Sequence, residues 1–365
     1  MSEALPTAAD FEAIGVYDPN GPHASQQLEL LAYLVDLGAG LDDLAAYRDE
    51  LAGLASVVAI RGGRALSLSE AAARSGVGEE KLLAISRAAG FPQPDPQDRV
   101  FAEQFSDLAA GLTAAEAVFG REAVLQLVRV MGATMARLAD AIVSAFLINV
   151  EPGSSEDDPA KLRVARANAE AAALLPTLTA GLEILLRQHL LAARRSSLGL
   201  AVDSGYESRH LCVGFVDLVD STALAQQMTT TELGSVLSEF ERVAADTVSA
   251  GGGRVVKLIG DEVLYTSVDA QSACAIALKL TSVFDRHPTV PPARAGVASG
   301  EVMLRDGDVF GPVVNLAARA VKLASPSEVV LPTAMALAAR IASEPLGRHA
   351  LKGFEGEVEL SRLSS

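Results

Sequence analysis

Three short segments carry residues whose types and spacing suit chemistry at a phosphate. The first, VGFVDLVDSTALA, sets Asp217 at the end of an apolar run and places Ser221 and Thr222 near a helix start. A carboxylate at a strand end, followed by the free N–H groups of a helix N-terminus, suits a metal-bound polyphosphate. The same Asp also suits plain helix capping. The second, KLIGDEVLYT, holds Lys257 and Asp261 inside a pattern that otherwise reads as buried strand. A tight connection at Gly260 predicts a hairpin, with Asp261 opening the returning strand. If the hairpin stands beside the strand of Asp217, both carboxylates converge on one metal pair, which serves in-line attack at phosphorus. Otherwise Asp261 and Glu262 are a solvated hairpin tip. The third, DGDVFGPVVNLAARAVKLA, starts a helix at Gly311-Pro312. Asn315 and Arg319 then share one helical face. An amide beside a guanidinium suits a ribose oxygen and a phosphate gathering charge, although an amphipathic helix shows the same pattern.

The elements that must position these residues change character along the chain. Up to about residue 200 the apolar period is helical, in QQLELLAYLVDLG, LDDLAAYRDELAGLASVVAI, LSEAAARSGVGEEKLLAISRAAGF, the long stretch AEAVFG to FLINV, and AKLRV to AARRS. Gly62-Gly63, FPQPDPQD and EPGSSEDDP punctuate them. From about residue 208 the period shortens. RHLCVGFVDLV, the two halves of GRVVKLIGDEVLYTSV, ARAGVASGEVML and SEVVLP read as strands with helices between them. The expectation is an α+β protein with residues 1–190 helical, 191–207 a linker and 208–365 a sheet domain.

Composition narrows the function. The chain is half hydrophobic, has 4% aromatics and no Trp, so Ala, Leu and Val build its core. A net charge of -16 argues against a general nucleic-acid binder, because phosphate neutralisation needs clustered Lys and Arg. The two cysteines, Cys212 and Cys274, form no CxxC or Cys/His cluster and fit a reducing compartment. Val124 to Val150 is apolar but interrupted by Arg129, Arg137 and Asp140, which reads as a core helix with one wet face rather than a membrane span. The N-terminus shows no signal-peptide pattern, so a cytoplasmic protein without a transmembrane segment is expected.

Taken together, the three segments resemble the catalytic domain of the class III nucleotidyl cyclases over about residues 208–362. F-x-D, K-x-x-G-D and D-x-x-G…N-x-x-x-R occur here in that family's order. The resemblance implies a ferredoxin-like, palm-type βαββαβ core acting as a head-to-tail homodimer with active sites at the subunit interface. It implies that Asp217 and Asp261 hold two Mg²⁺ or Mn²⁺ ions per site and that Lys257 and Asp308 read the adenine of ATP. It further implies that Asn315 and Arg319 hold the ribose and the transition state, while Arg294 and Lys352 contact the polyphosphate. Adenine offers a ring-nitrogen acceptor and an amino donor, which match a lysine and an aspartate. The implied activity is conversion of ATP to cyclic AMP and pyrophosphate.

The domain order is similar to that of soluble mycobacterial-type, pH-responsive adenylyl cyclases, in which an N-terminal helical domain is autoinhibitory. His189 and His210 flank the junction and are candidate proton sensors, histidine titrating near neutral pH. The readings set against this are a non-catalytic nucleotide sensor and a DNA-binding regulator. For the latter, LSLSEAAARSGVGEEKLLAISRAAGFP does read as helix, Gly turn, helix, but its second helix opens on Glu79-Glu80 and offers few cations to phosphate.

Overall fold

A computed structural model describes residues 5–61, 65–95, 97–149, 158–196, 207–221 and 226–363. It divides into two compact units, Met1–Leu198 and Gly199–Ser365.

The first unit is helical apart from one short ladder. It comprises α1 (Ala8–Ala13), α2 (Ala24–Asp36), α3 (Leu41–Ala46), α4 (Leu51–Arg61), β1 (Ala65–Leu66), α5 (Leu68–Ser75), α6 (Glu79–Ala88), β2 (Phe101–Ala102), α7 (Glu103–Phe119), α8 (Arg121–Asn149), α9 (Leu162–Ala172) and α10 (Leu175–Ser196). β1 and β2 pair antiparallel. Leu31, Leu34, Leu44 and Leu54 pack with Val164 and Ala165 of α9 in one core, and Leu82, Ile85, Phe101 and Val128 in another. The buried Asn168 amide donates to the carbonyls of Ala52 at 3.3 Å and Val164 at 3.0 Å, tying α9 to α4. The Gly62-Gly63 turn and residues 151–157 of EPGSSEDDP lie outside the described residues.

The reading of Val124 to Val150 as a core helix needs correcting. Val124 and Val128 of α8 are buried, but Met131, Met135, Val143, Leu147 and Ile148 are exposed. α8 and the stretch from Leu162 to Arg194 have the length and hydropathy of membrane spans, and neither apolar window is buried within this chain. The apolar residues recur at helical spacing, but the described residues do not cover them. Contiguous apolar surface of this kind marks an interaction site.

The second unit comprises β3 (Glu207–Leu218), α11 (Thr230–Ala250), β4 (Arg254–Ile259), β5 (Glu262–Ser267), α12 (Ala270–Asp285), β6 (Ala293–Arg305), β7 (Asp308–Phe310), α13 (Pro312–Ala320), a 3₁₀ turn (Val321–Leu323), β8 (Val329–Pro332), α14 (Thr333–Ala339), β9 (Glu344–Ala350) and β10 (Glu357–Leu363). The sheet runs β4-β5-β3-β6-β8-β10-β9, with β7 paired to β6. Its first four strands, with α11 and α12, form the expected βαββαβ core, every neighbouring pair antiparallel. β7 and β9 escape a sequence reading because they lack apolar alternation, and β10, EVELSRL, alternates only as far as Leu360, where its pairing with β9 shifts register; EPLGRHA of β9 has a Pro, a Gly and mostly exposed side chains.

Both faces of β3 are buried, which explains its near-continuous apolar sequence. Cys212, Val216 and Leu218 pack with Phe240, Leu280 and Phe284 of α11 and α12. Val213 and Phe215, one residue out of phase, join Ala317 of α13 on the opposite face. Cys212 and Cys274 are free and buried, and burial pushes their thiols up to about 11 and about 12. α13 lies hard against β6. A Cβ on Gly296 would come within 2.2 Å of the Val321 nitrogen and 2.4 Å of the Ala317 oxygen. Gly296→Ala is therefore expected to lift α13 and to cost about 1–3 kcal/mol, the usual range for overpacking. Chemical denaturation of the full chain measures this, and an unchanged midpoint would show that α13 yields freely.

Candidate active site

The second unit presents its chemistry on the α13 face of the sheet. Residues opposite one another across strands share a face. Asp217 stands opposite Glu262 on β5 and Arg294 on β6, while Lys257 of β4 stands opposite Leu264. Asp217, Glu262, Arg294 and Lys257 therefore all lie on the face that carries Phe215 and Leu264.

The β4–β5 hairpin brings the second aspartate to the first. Its connection is the two-residue turn Gly260–Asp261, flanked by the paired Ile259 and Glu262. Gly260 takes φ 64°, which costs glycine little and other residues more. Asp261 thus belongs to the turn and not, as the spacing suggested, to the returning strand. The turn is tied to the end of β3, where Leu218 N–H donates to the Asp261 carbonyl at 3.1 Å. The Ser221 hydroxyl donates to Asp261 Oδ2. Thr222, the other residue placed near a helix start, lies outside the described residues. Asp217, Asp220, Ser221, Gln226, Asp261 and Arg294 line a cavity of about 480 Å³.

Charge is concentrated here. Arg294 donates to Asp217 Oδ2 from Nε at 3.1 Å and Nη2 at 2.8 Å. Burial pushes the Glu262 carboxyl up to about 7, with the Asp217 and Asp261 charges adding to the shift, while Lys322 and Arg294 oppose it. Hard oxygen donors with excess negative charge fit a divalent cation. No group of three or more His, Cys, Asp or Glu residues is arranged to hold a metal among the described residues. The chain thus offers the paired carboxylates Asp217 and Asp261, and a nucleotide phosphate and water would have to complete the shell, as is usual for Mg²⁺.

The remaining candidates fall into separate groups. Lys257 Nζ and Asp308 Oδ2 form an ion pair at 2.5 Å, which joins β4 to β7. Asn315 is exposed and Arg319 half-exposed on α13, and neither side chain has a hydrogen bond or ion pair with the described residues. Ala317, Ala320 and Val321 are buried. At roughly 100° per residue, Asn315 and Arg319 stand on the opposite side of α13, away from this chain's own sheet. Lys352 is exposed in the β9–β10 turn. Its nearer strand, β10, lies three positions from β3, roughly 14 Å at normal strand spacing. His189 is exposed on α10, and His210 is exposed on β3 opposite Glu301. Sequence reasoning missed the charged environment of Glu262, although a two-residue turn after Ile259 already implies its register.

Comparison with known proteins follows the same division. Residues 15–191 match the adenylate cyclase regulatory domain family, and residues 205–363 match the adenylate and guanylate cyclase catalytic domain family. An adenylate cyclase of Streptomyces coelicolor is 35% identical, covering 78% of this chain and 68% of its own. The chain belongs to the adenylate cyclase family. An uncharacterised protein of Mycobacterium tuberculosis H37Rv is 32% identical over 95% of this chain and 92% of its own. A pH-sensitive adenylate cyclase of M. tuberculosis CDC 1551 is 28% identical over 95% of this chain and 90% of its own. Cyclase catalytic domains of this class generally use divalent metal ions.

The raised Glu262 carboxyl has a measurable sign. The folded adenylate cyclase keeps a proton there that the unfolded chain releases near 4.5, so stability present at low pH is lost as pH rises from 4.5 through about 7. Without added divalent cation, Glu262→Gln is expected to flatten the fall in melting temperature across that window and to melt above wild type on its alkaline side. Parallel curves would show that the Glu262 carboxyl is not raised in the folded chain.

Proposed function

We propose that this adenylate cyclase converts ATP to 3′,5′-cyclic AMP and pyrophosphate in a homodimer with two shared active sites. The observation that carries the dimer is the direction of α13: Asn315 and Arg319 face away from the sheet that holds Asp217 and Asp261. A second copy whose α13 faces this sheet would complete the site, as in an isologous assembly. The exposed apolar side chains of Ile259, Phe310 and Leu323 support a subunit contact around these residues.

In this reading Asp217 and Asp261 hold two Mg²⁺ or Mn²⁺ ions per site. Bound there, such ions would supply Lewis acidity toward the ribose 3′-hydroxyl and the leaving pyrophosphate. Lys257 donates to an adenine ring nitrogen and Asp308 accepts from the 6-amino group, so the base inserts where the two side chains now pair with each other. Asn315 holds the ribose while its 3′-oxygen attacks the α-phosphorus in line. The bond from that phosphorus to the pyrophosphate oxygen breaks, and the 3′-hydroxyl proton passes to solvent water. Arg319 meets the negative charge that grows on the α-phosphate. Arg294 and Lys352 neutralise the polyphosphate, Lys352 reaching it from whichever subunit brings the β9–β10 turn to the groove.

Residues 1–190 act as the regulatory, autoinhibitory domain, joined through residues 191–207. The exposed apolar faces of α8 and α10 supply the surface through which two regulatory domains pack. The pH-sensitive relative supports protonation as the signal, with His189 and His210 as candidate sensors. The protein is read as cytoplasmic with ATP as its partner. The rival readings, a non-catalytic nucleotide sensor and a DNA-binding regulator, gain no support from the relatives.

A cyclic-nucleotide assay tests the assignment. The full chain with Mg²⁺ or Mn²⁺ is expected to make cyclic AMP from ATP, to prefer ATP over GTP, and to lose activity by at least about 100-fold as Asp217→Ala. Repeated between about pH 6 and 8, where histidine titrates, it should give a profile whose shape changes when residues 1–204 are removed. No cyclic AMP at any pH refutes the activity, and identical profile shapes refute regulation by pH through the N-terminal unit.

The shared site is tested by mixing. Lys257→Ala and Asp261→Ala chains, each inactive alone, should regain up to about one quarter of wild-type activity after subunit exchange, because half of the dimers are mixed and each mixed dimer has one intact site of two. Demonstrated exchange without recovery would place both residues in one site.

A further inference from the structure

We propose that Arg294 is a positioning residue of the metal centre, holding Asp217 in its metal-binding orientation, in addition to any contact it makes with polyphosphate. The inference rests on the reading of Asp217 and Asp261 as metal-holding carboxylates. Asp217 and Arg294 face each other across the β3–β6 ladder. Their side chains are largely covered, 20% and 30% exposed. Both donated hydrogen bonds, from Nε at 3.1 Å and Nη2 at 2.8 Å, fall on the single oxygen Oδ2. Oδ1 has no hydrogen bond to the described residues.

That geometry separates a positioner from a competitor. An arginine that merely occupied a metal's place would use its fork on both carboxylate oxygens, the arrangement that satisfies a carboxylate most fully. Arg294 grips one oxygen and leaves the other available. The grip has a reason in the surrounding charge. Asp217 stands opposite Glu262 on its other side, and Asp261 is fixed at the end of the same strand. Like charges on neighbouring positions push a carboxylate toward solvent. The guanidinium offsets this and fixes the dihedral of Asp217. Groups hydrogen-bonded to a metal ligand orient it, and their loss lowers metal affinity by about 10–100-fold.

A lysine at this position keeps the positive charge that a phosphate needs but lacks the planar pair of donors. Mn²⁺ alone is titrated into the full chain without nucleotide, with the free ion followed by electron paramagnetic resonance, for wild type, Asp217→Ala, Arg294→Lys and Arg294→Gln. Thermal melts check that each variant is folded. Wild-type binding that is lost in Asp217→Ala shows that Asp217 belongs to the metal centre. Arg294→Lys is then expected to weaken Mn²⁺ binding about 10-fold or more. Arg294→Gln, which keeps an amide donor toward Asp217, is the second variant should the lysine chain unfold, and is expected to weaken Mn²⁺ binding as well. Wild-type Mn²⁺ affinity in either folded variant, with a raised ATP KM, would reduce Arg294 to a phosphate contact and overturn the proposal. Tighter Mn²⁺ binding in either would make Arg294 a competitor and overturn it equally. Equal binding by wild type and Asp217→Ala would instead remove the metal-centre reading on which the inference stands.

Discussion

Three carboxylates are crowded at one end of β3. Asp217 is on that strand, Glu262 opposite it on β5, and Asp261 in the turn just before Glu262. Such a cluster repels itself, and the rise of the Glu262 carboxyl to about 7 records how strongly burial and its neighbours act on it. The surrounding structure is arranged to hold these groups together against that repulsion. The Leu218 N–H anchors the turn, Ser221 engages Asp261, and β6 delivers Arg294 directly opposite Asp217. A shift of one residue in the β3–β6 register would turn Arg294 to the other face and leave the acids without their nearest cation.

The division of the sheet into two unlike faces follows from where its helices fall. α11 and α12 cover one face with Phe240, Leu280 and Phe284, all fully buried. α13 covers part of the other, seated on Gly296, and the polar residues gather on that face. Because Ala317 and Ala320 of α13 and Val321 just after it are buried, Asn315 and Arg319 turn outward. Asn315 and Arg319 therefore stand apart from the acids at the end of β3. In the helical unit, α8 and α10 expose apolar side chains that the described residues do not cover.

How far the site could be read in advance depended on how local its physics is. The Gly260–Asp261 turn, the Gly311–Pro312 helix start and the spacing of Asn315 and Arg319 are all short-range, set by backbone preference and helical repeat. They were legible to within a residue, Asp261 being displaced by one. β7 and β9 were not, because three residues and a Pro- and Gly-containing edge strand carry no periodic signal, and in β10 the alternation of Val358 and Leu360 is cut short by a register shift. α8 was misjudged for the opposite reason. Its periodicity is strong, but periodicity reports that a face will be covered and not by what.

By itself, the sequence determined most of the succession of helices and strands, the order of a helical unit and a sheet-containing one, and the residue types on which the chemistry depends. These follow from apolar period, turn chemistry and side-chain capability, all of which act within a few residues. Only the tertiary structure decided that Arg294 grips Asp217, that Lys257 meets Asp308, that Glu262 joins the acid cluster, and that Arg319 turns its back on its own sheet. Each of these is a relation between residues far apart in the chain, fixed by strand register and by the side on which a helix packs. No local preference encodes either.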